Sequence, residues 1–299
     1  MRPNQLSVAA GVLVASFALS GCVVRVDSEQ FVAREEKRFT VKGAPRVELD
    51  TYDGSIEIRS WDRDEVLVEI EKRAATKELA EAIQVRADQD GNRIRVQALE
   101  PGSTDKVFGM MVNTARYARL VATVPGKCTL VARTGDGSIS VERVAGEVEL
   151  HTGDGSVRAY RIDGGLLVDT GDGSVKLEDV NGSIDVRTGD GSVAVEGQLA
   201  GVRVRTGDGS VTVRAKPASQ MRDSWSLETD DGTVALYVPD GFSASLDAEA
   251  QSGVVRADSA FGFPDREEAS RHVLKASLGA GGPAIRLRSG DGSISIRRY

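Results

Sequence analysis

Thr134-Gly135-Asp136-Gly137-Ser138 recurs at Thr152, Thr170, Thr188 and Thr206, each copy starting 18 residues after the last. Looser copies stand outside this block: Thr51-Tyr-Asp-Gly-Ser55, Thr229-Asp-Asp-Gly-Thr233 and Ser289-Gly-Asp-Gly-Ser293. A fixed period of this length is the mark of a solenoid, in which each unit buries its apolar face only against its neighbours.

Between the copies lies a finer period of nine. Asp172-Gly173-Ser174-Val175-x-Leu177 is followed by Asn181-Gly182-Ser183-Ile184-x-Val186. After the TGDGS phrase come Ile139/Val141, Val157/Ala159, Val175/Leu177, Val193/Val195 and Val211/Val213. Before it come Val148/Leu150, Leu166/Val168, Ile184/Val186 and Val202/Val204. Each pair is spaced by two, so on a strand both members face one side, with polar residues between them facing the other. The expected fold is all-β: a single-stranded right-handed parallel β-helix, or β-solenoid, of about 18 residues per coil. Each coil is expected to hold two strands and two turns around a thin aliphatic core. The right hand follows from the preference of parallel crossovers.

The regular block covers 130–214 within a solenoid domain at 45–299. Residues 46–58 read as one rung, and Ile285/Leu287 with Ile294/Ile296 as the last. The closing Arg297 and Arg298 suit an edge strand guarded by charge. Thr76 to Ile83 carries the one helical signal, an N-cap Thr followed by Leu79 and Ile83 four apart. It is expected to cap the open end near the N-terminus. A hairpin is expected at Asp90-Gly91-Asn92. The segments 100–115 and 257–281 break the repeat.

Composition agrees with thin strands and tight turns: aromatic content is 5%, with 33 Gly in 299 residues. A net charge of −7 argues against a nucleic-acid partner, which needs a basic footprint. Leu6 to Leu19 is mostly apolar but short for a membrane span. It ends in Leu19-Ser20-Gly21-Cys22, small residues before a cysteine. This resembles the lipobox of bacterial lipoproteins, which implies a signal peptide at 1–21, lipidation at Cys22 and a membrane partner through that anchor. Val23 after the cysteine points, by the same resemblance, to the outer membrane of the cell envelope, facing the periplasm or the surface. Residues 22–44, charged and without an apolar face, read as a tether. Cys128 then has no disulfide partner and reads as a packed thiol.

The ordered set of GDGS and NGS turns, Val238-Pro239-Asp240-Gly241, Leu278-Gly279-Ala280-Gly281-Gly282 and a final GDGSISI strand resembles the bacterial "putative adhesin" family of unknown function. That family is related to autotransporter-adhesin head domains and toastrack domains. The resemblance covers about 40–299 and implies a β-solenoid at the cell envelope with no catalytic residues to carry over.

The Asp ladder, Asp136, Asp154, Asp172, Asp190 and Asp208, offers one carboxylate per coil. Nonapeptide calcium rolls also use Gly-Asp turns, which makes these five the calcium candidates, although the G-G-x-G-x-D order is not followed. The competing expectation is structural: Asp accepts from turn amides while Gly supplies positive φ. The Thr ladder reads as hydroxyls bonding along the stack. A glycosidase or sugar-binding alternative draws on Asp62, Asp64 and Glu65 near Trp61, and on Asp230 and Asp231 near Trp225. His151 and His272 form no triad or zinc set. The residues therefore favour a non-enzymatic, lipid-anchored solenoid without a cofactor, serving a structural, adhesive or envelope-sensing role. An envelope protein or a surface polysaccharide is its expected partner. A carbohydrate-binding or carbohydrate-active β-helix and a calcium-binding β-roll are the alternatives.

Overall fold

The structure, a computed structural model, describes residues 25–27, 30–99, 106–107, 110–111, 116–261, 263 and 271–299. Nearly all of them join one large sheet system with a continuous aliphatic core. All the inward pairs of the regular block are buried, from Ile139 and Val141 through Val202 and Val204 to Val211 and Val213. The stacking is parallel and in register: Leu130↔Val148 and Val148↔Leu166 on one sheet, Ile139↔Val157 and Val157↔Val175 on the other.

The second turn of each coil is not a break. Val157–Thr170, Val175–Thr188 and Val193–Thr206 are each one 14-residue strand that bends and passes from one sheet to the other. The bend joins the glycine that the period of nine marked to a residue three positions earlier that it did not mark. Arg143, Arg161 and Asp179 adopt φ of 59°, 56° and 55°, and Gly146, Gly164 and Gly182 follow three residues later with φ near 140°. Between them Val144, Ile162 and Val180 turn inward and add a third apolar column to the core.

The TGDGS corner shows why Gly is needed there, and the reason differs from the expected one. Of the second-Gly ladder only Gly54 has positive φ. At Gly173 an added Cβ would overlap the carbonyl oxygen of Gly155 and stand 2.6 Å from its carbon. The rungs approach too closely for a side chain, so stacking, not backbone handedness, selects glycine. Thr134, Thr152, Thr170, Thr188, Thr206 and Thr229 are buried beneath these turns. Each hydroxyl donates to the preceding rung, as Thr188 Oγ1 to Gly173 O (3.1 Å) and Thr206 Oγ1 to Gly191 O (2.9 Å). The expected hydroxyl ladder thus runs from Thr to Gly carbonyl.

At both ends the rungs stack out of chain order. Arg46–Thr51 and Ile56–Trp61 pair onto the regular block through Thr129–Thr134 and Ile139–Ala145. Outside them lie Arg93–Leu99 and Tyr117–Pro125, also parallel. Antiparallel strands finish this end: Gln84–Asp90 on one sheet, Glu65–Ala74 and then Gln30–Thr40 on the other. The expected tether at 22–44 is therefore, over 30–40, a paired strand whose Phe39 is buried, as is Val41 just after it. Its alternation of Phe31, Ala33 and Phe39 was masked by the charges around it. The expected helix is shorter than its signal, Lys77–Glu81, with Thr76 Oγ1 accepting from Leu79 N–H. Ile83 beyond it packs with Ala98 and Ala118 near the first turn.

At the other end, Ala284–Ser289 and Ile294–Arg298 do not form an edge. They lie between the 225–238 rung and the strands Ala244–Ala250 and Val255–Ala257. Arg297 and Arg298 therefore guard no edge. That task falls to Val273–Leu278, which pairs antiparallel with Ala244–Ala250 and ends parallel growth on that sheet.

Candidate functional site

The Asp ladder is the feature the repeat makes most regular. All five carboxylates are exposed at successive corners. Among the described residues none of them accepts a hydrogen bond, so the expected capping of turn amides is not seen there. The amides instead bond along the stack, as Gly171 N–H to Gly153 O at 2.5 Å. At the N-terminal end of the ladder, partial burial and then the neighbouring Asp136 charge raise the Asp53 carboxyl above its ordinary value, against a backbone bond from Gly54. Among the described residues no group of three or more His, Cys, Asp or Glu converges as a metal-binding set.

The sugar-site residues separate. Trp225 is fully buried, its ring 5.4 Å from Phe242 and its indole N–H directed to Ala200 O. It offers no platform beside Asp230 and Asp231. Those two line an acidic hollow of about 440 Å³ with Glu228, Glu249, Asp291 and Arg288. Trp61 donates to Glu65 O at 2.7 Å, and the Arg63 guanidinium lies 4.9 Å from its ring centre. Asp62 and Asp64 border a small cavity beside it. The strands flanking 100–115 and those flanking 258–272 lie at opposite ends of the stack, so the two breaks do not share a groove. Most of 100–115 falls outside the described residues, as does Cys22.

His151 Nε2 meets Glu149 Oε1 at 2.7 Å on the outer face, and His272 Nδ1 meets Gly253 O near the far end. Burial pushes the Cys128 thiol up to about 12, which makes it a packed core group. The sequence did not point to the ion cluster at Glu48. This side chain is buried on the outer face beneath Arg46, Arg93 and Arg95, at 2.7, 2.7 and 2.5 Å. Burial alone would raise its carboxyl, but the three arginine hydrogen bonds win and hold it at about 2. Strand pairing of 46–51 with 93–99 brings these charges together, and no local pattern marks that contact.

A hollow of about 690 Å³ crosses the rungs where the strands leave the bend. Thr129, Gly165, Ser183 and Gly201 make it shallow, and Glu147, Glu149, Asp185, Arg203 and Asp223 border it. Asp185 holds Arg187 and Arg203 through Oδ2, while its buried Oδ1 has no partner.

These arrangements define a β-solenoid scaffold whose interior is structural and whose polar chemistry is spread over broad outer faces. The chain belongs to the Toastrack DUF4097 family, whose model matches residues 45–297. No curated protein sequence matches it. Among solved structures it is similar to a "putative cell adhesion protein" from Clostridium sporogenes ATCC 15579, with 14% identity, TM-score 0.29, and coverage of 89% of this chain and 100% of that one. It is also similar to a "putative lipid binding protein" from Parabacteroides distasonis ATCC 8503, with 12% identity, TM-score 0.40 and coverage of 89% and 96%. A third is a "putative adhesin" from Parabacteroides merdae ATCC 43184, with 12% identity, TM-score 0.37 and coverage of 88% and 95%. No helix among the described residues is long and apolar enough to cross a membrane.

Proposed function

We propose that this protein is an envelope lipoprotein whose solenoid is a non-catalytic adhesive scaffold. The observation that carries the reading is the apolar run Leu6 to Leu19 ending in Leu19-Ser20-Gly21-Cys22. A thioether-linked lipid at Cys22, with a further acyl chain, supplies the two hydrophobic signals that stable anchoring requires. The first described strand starts at Arg25, three residues after the cysteine, so the rod's N-terminal edge would stand close to the bilayer. The scattered positions of His151, His272, Trp61 and Trp225 support a scaffold over an enzyme.

The test is expression in a bacterial host with an alkyne-tagged palmitate label and detergent phase partitioning. The wild-type chain takes the label and enters the detergent phase. Cys22→Ser stays unlabelled and aqueous. A wild-type chain that is unlabelled and aqueous refutes the anchor.

A further inference from the structure

On the outer face of the sheet that carries the chain's C-terminus, strand register places Arg214, Tyr237 and Arg297 in one column on three successive rungs. The Arg214 guanidinium lies 4.8 Å from the Tyr237 ring centre and that of Arg297 lies 6.0 Å away, so the ring holds two cations in a row. The adjacent column is Thr212, Ala235 and Ser295, ending one rung further on at Arg256. Among the described residues none of the three arginines makes an ion pair. The acids nearest in register are engaged elsewhere: Glu196 holds Lys216 at 3.0 Å, and Asp258 accepts from Ala260 N–H at 3.0 Å. A protein with a net charge of −7 thus keeps three unpaired guanidiniums around one low, polar strip.

We propose that this face binds a linear acidic polysaccharide, its carboxylates meeting Arg214, Arg297 and Arg256 along the stack. Rungs repeat at about 4.8 Å, so Arg214 and Arg297 stand two rungs apart in one column and Arg256 one rung beyond in the next, a shallow diagonal along the stack that suits an extended chain with acidic groups along its length. The small side chains of Thr212, Ala235 and Ser295 let that chain lie close to the backbone. Guanidinium forks pair with carboxylates through two parallel hydrogen bonds, and the contact with Tyr237 restrains Arg214 and Arg297 beforehand. A lipid surface fits less well: Tyr237 is enclosed by its cations, and no exposed apolar side chain stands in the row to enter a bilayer. The inference takes its setting from the adhesive reading, but binding in solution tests the face independently of the anchor.

The experiment uses the full chain carrying Cys22→Ser, run in affinity electrophoresis against polygalacturonate. Neutral dextran, vesicles of phosphatidylcholine with phosphatidylglycerol, and duplex DNA are run in parallel. The expected result is retardation by polygalacturonate alone, weakened about 100-fold in the triple variant Arg214→Gln, Arg256→Gln, Arg297→Gln at unchanged melting temperature. Arg256→Gln alone, at an exposed and unstacked position, is expected to cost about fivefold and serves if the triple variant does not fold. The proposal is overturned if the wild type is not retarded, if dextran retards it equally, if the variants bind as the wild type does, or if the arginines matter only for vesicles or DNA.

Discussion

Gly173→Ala places a methyl group where two rungs touch. The added carbon overlaps Gly155 O and stands 2.6 Å from its carbonyl carbon and 2.8 Å from Thr170 Oγ1. The corner must open, and the hydrogen bonds crossing it lengthen: Thr170 Oγ1 to Gly155 O (3.1 Å) and Thr188 Oγ1 to Gly173 O (3.1 Å). Overpacking of this kind costs about 1–3 kcal/mol, and each weakened buried bond adds about 1 kcal/mol. The total is about 3–5 kcal/mol, or a melting temperature lower by about 2–4 °C for each kcal/mol. The assay is urea unfolding followed by circular dichroism, with the exposed neighbour Ser174→Ala as a control expected to stay within about 0.5 kcal/mol. Because the φ of Gly173 is not in the left-handed region, any large loss reports contact and not backbone handedness. A Gly173→Ala midpoint equal to that of the control would refute the stacking argument.

Four further outcomes follow from the same structure. Thr188→Val keeps the volume but removes a buried hydroxyl that donates to Gly173 O and accepts from Gly191 N–H, so stability should fall by about 1–3 kcal/mol in urea titrations. The Glu48 carboxyl is depressed from 4.5 to about 2 in the fold, so its stabilisation is complete above 4.5 and disappears as pH falls through about 2. Thermal melts should show that acid slope shrinking in Glu48→Gln, whose melting temperature at neutral pH should also be lower because three arginines lose their shared partner. In the Cys22→Ser chain, Cys128 should resist a thiol reagent when folded and react once denatured; rapid native labelling would contradict its burial. Deleting 284–299 should unfold much of the C-terminal half by hydrogen exchange, since it removes an interior rung; fraying confined to the last strands would contradict the stacking order.

Much of the interior was legible because a parallel solenoid repeats the same local environment. Val157, Val175 and Val193 could be assigned inward from spacing alone, and every one is buried. The bend was less legible: Arg143, Arg161 and Asp179 carry the left-handed φ there, and of these only aspartate is a residue type that favours it. The strand at 30–40 was hidden for another reason. It lies at the end of one sheet, where Glu35 and Lys37 interrupt the face that carries Phe31, Ala33 and Phe39, and Glu35 pairs with Lys37 and Lys72 instead of entering the core. The cation row at Arg214, Tyr237 and Arg297 was equally silent, because those residues come from strands far apart in the chain.

The sequence by itself determined which residues of the regular block face inward, where the TGDGS corners fall, and that the Thr hydroxyls bond from rung to rung. Those properties depend on a period of 18 and on the alternation of a strand, both local. Only the tertiary structure decided the order of the rungs. Every rung presents the same register and much the same aliphatic face, so the repeat does not say which rung sits beside which. That choice falls to the ends, where open backbone must be covered: 93–99 and 117–125 close outside 46–61, and 284–298 slides inside 244–257 so that an antiparallel strand can finish the sheet. The TGDGS phrase sets how rungs stack, and edge protection sets their sequence in space.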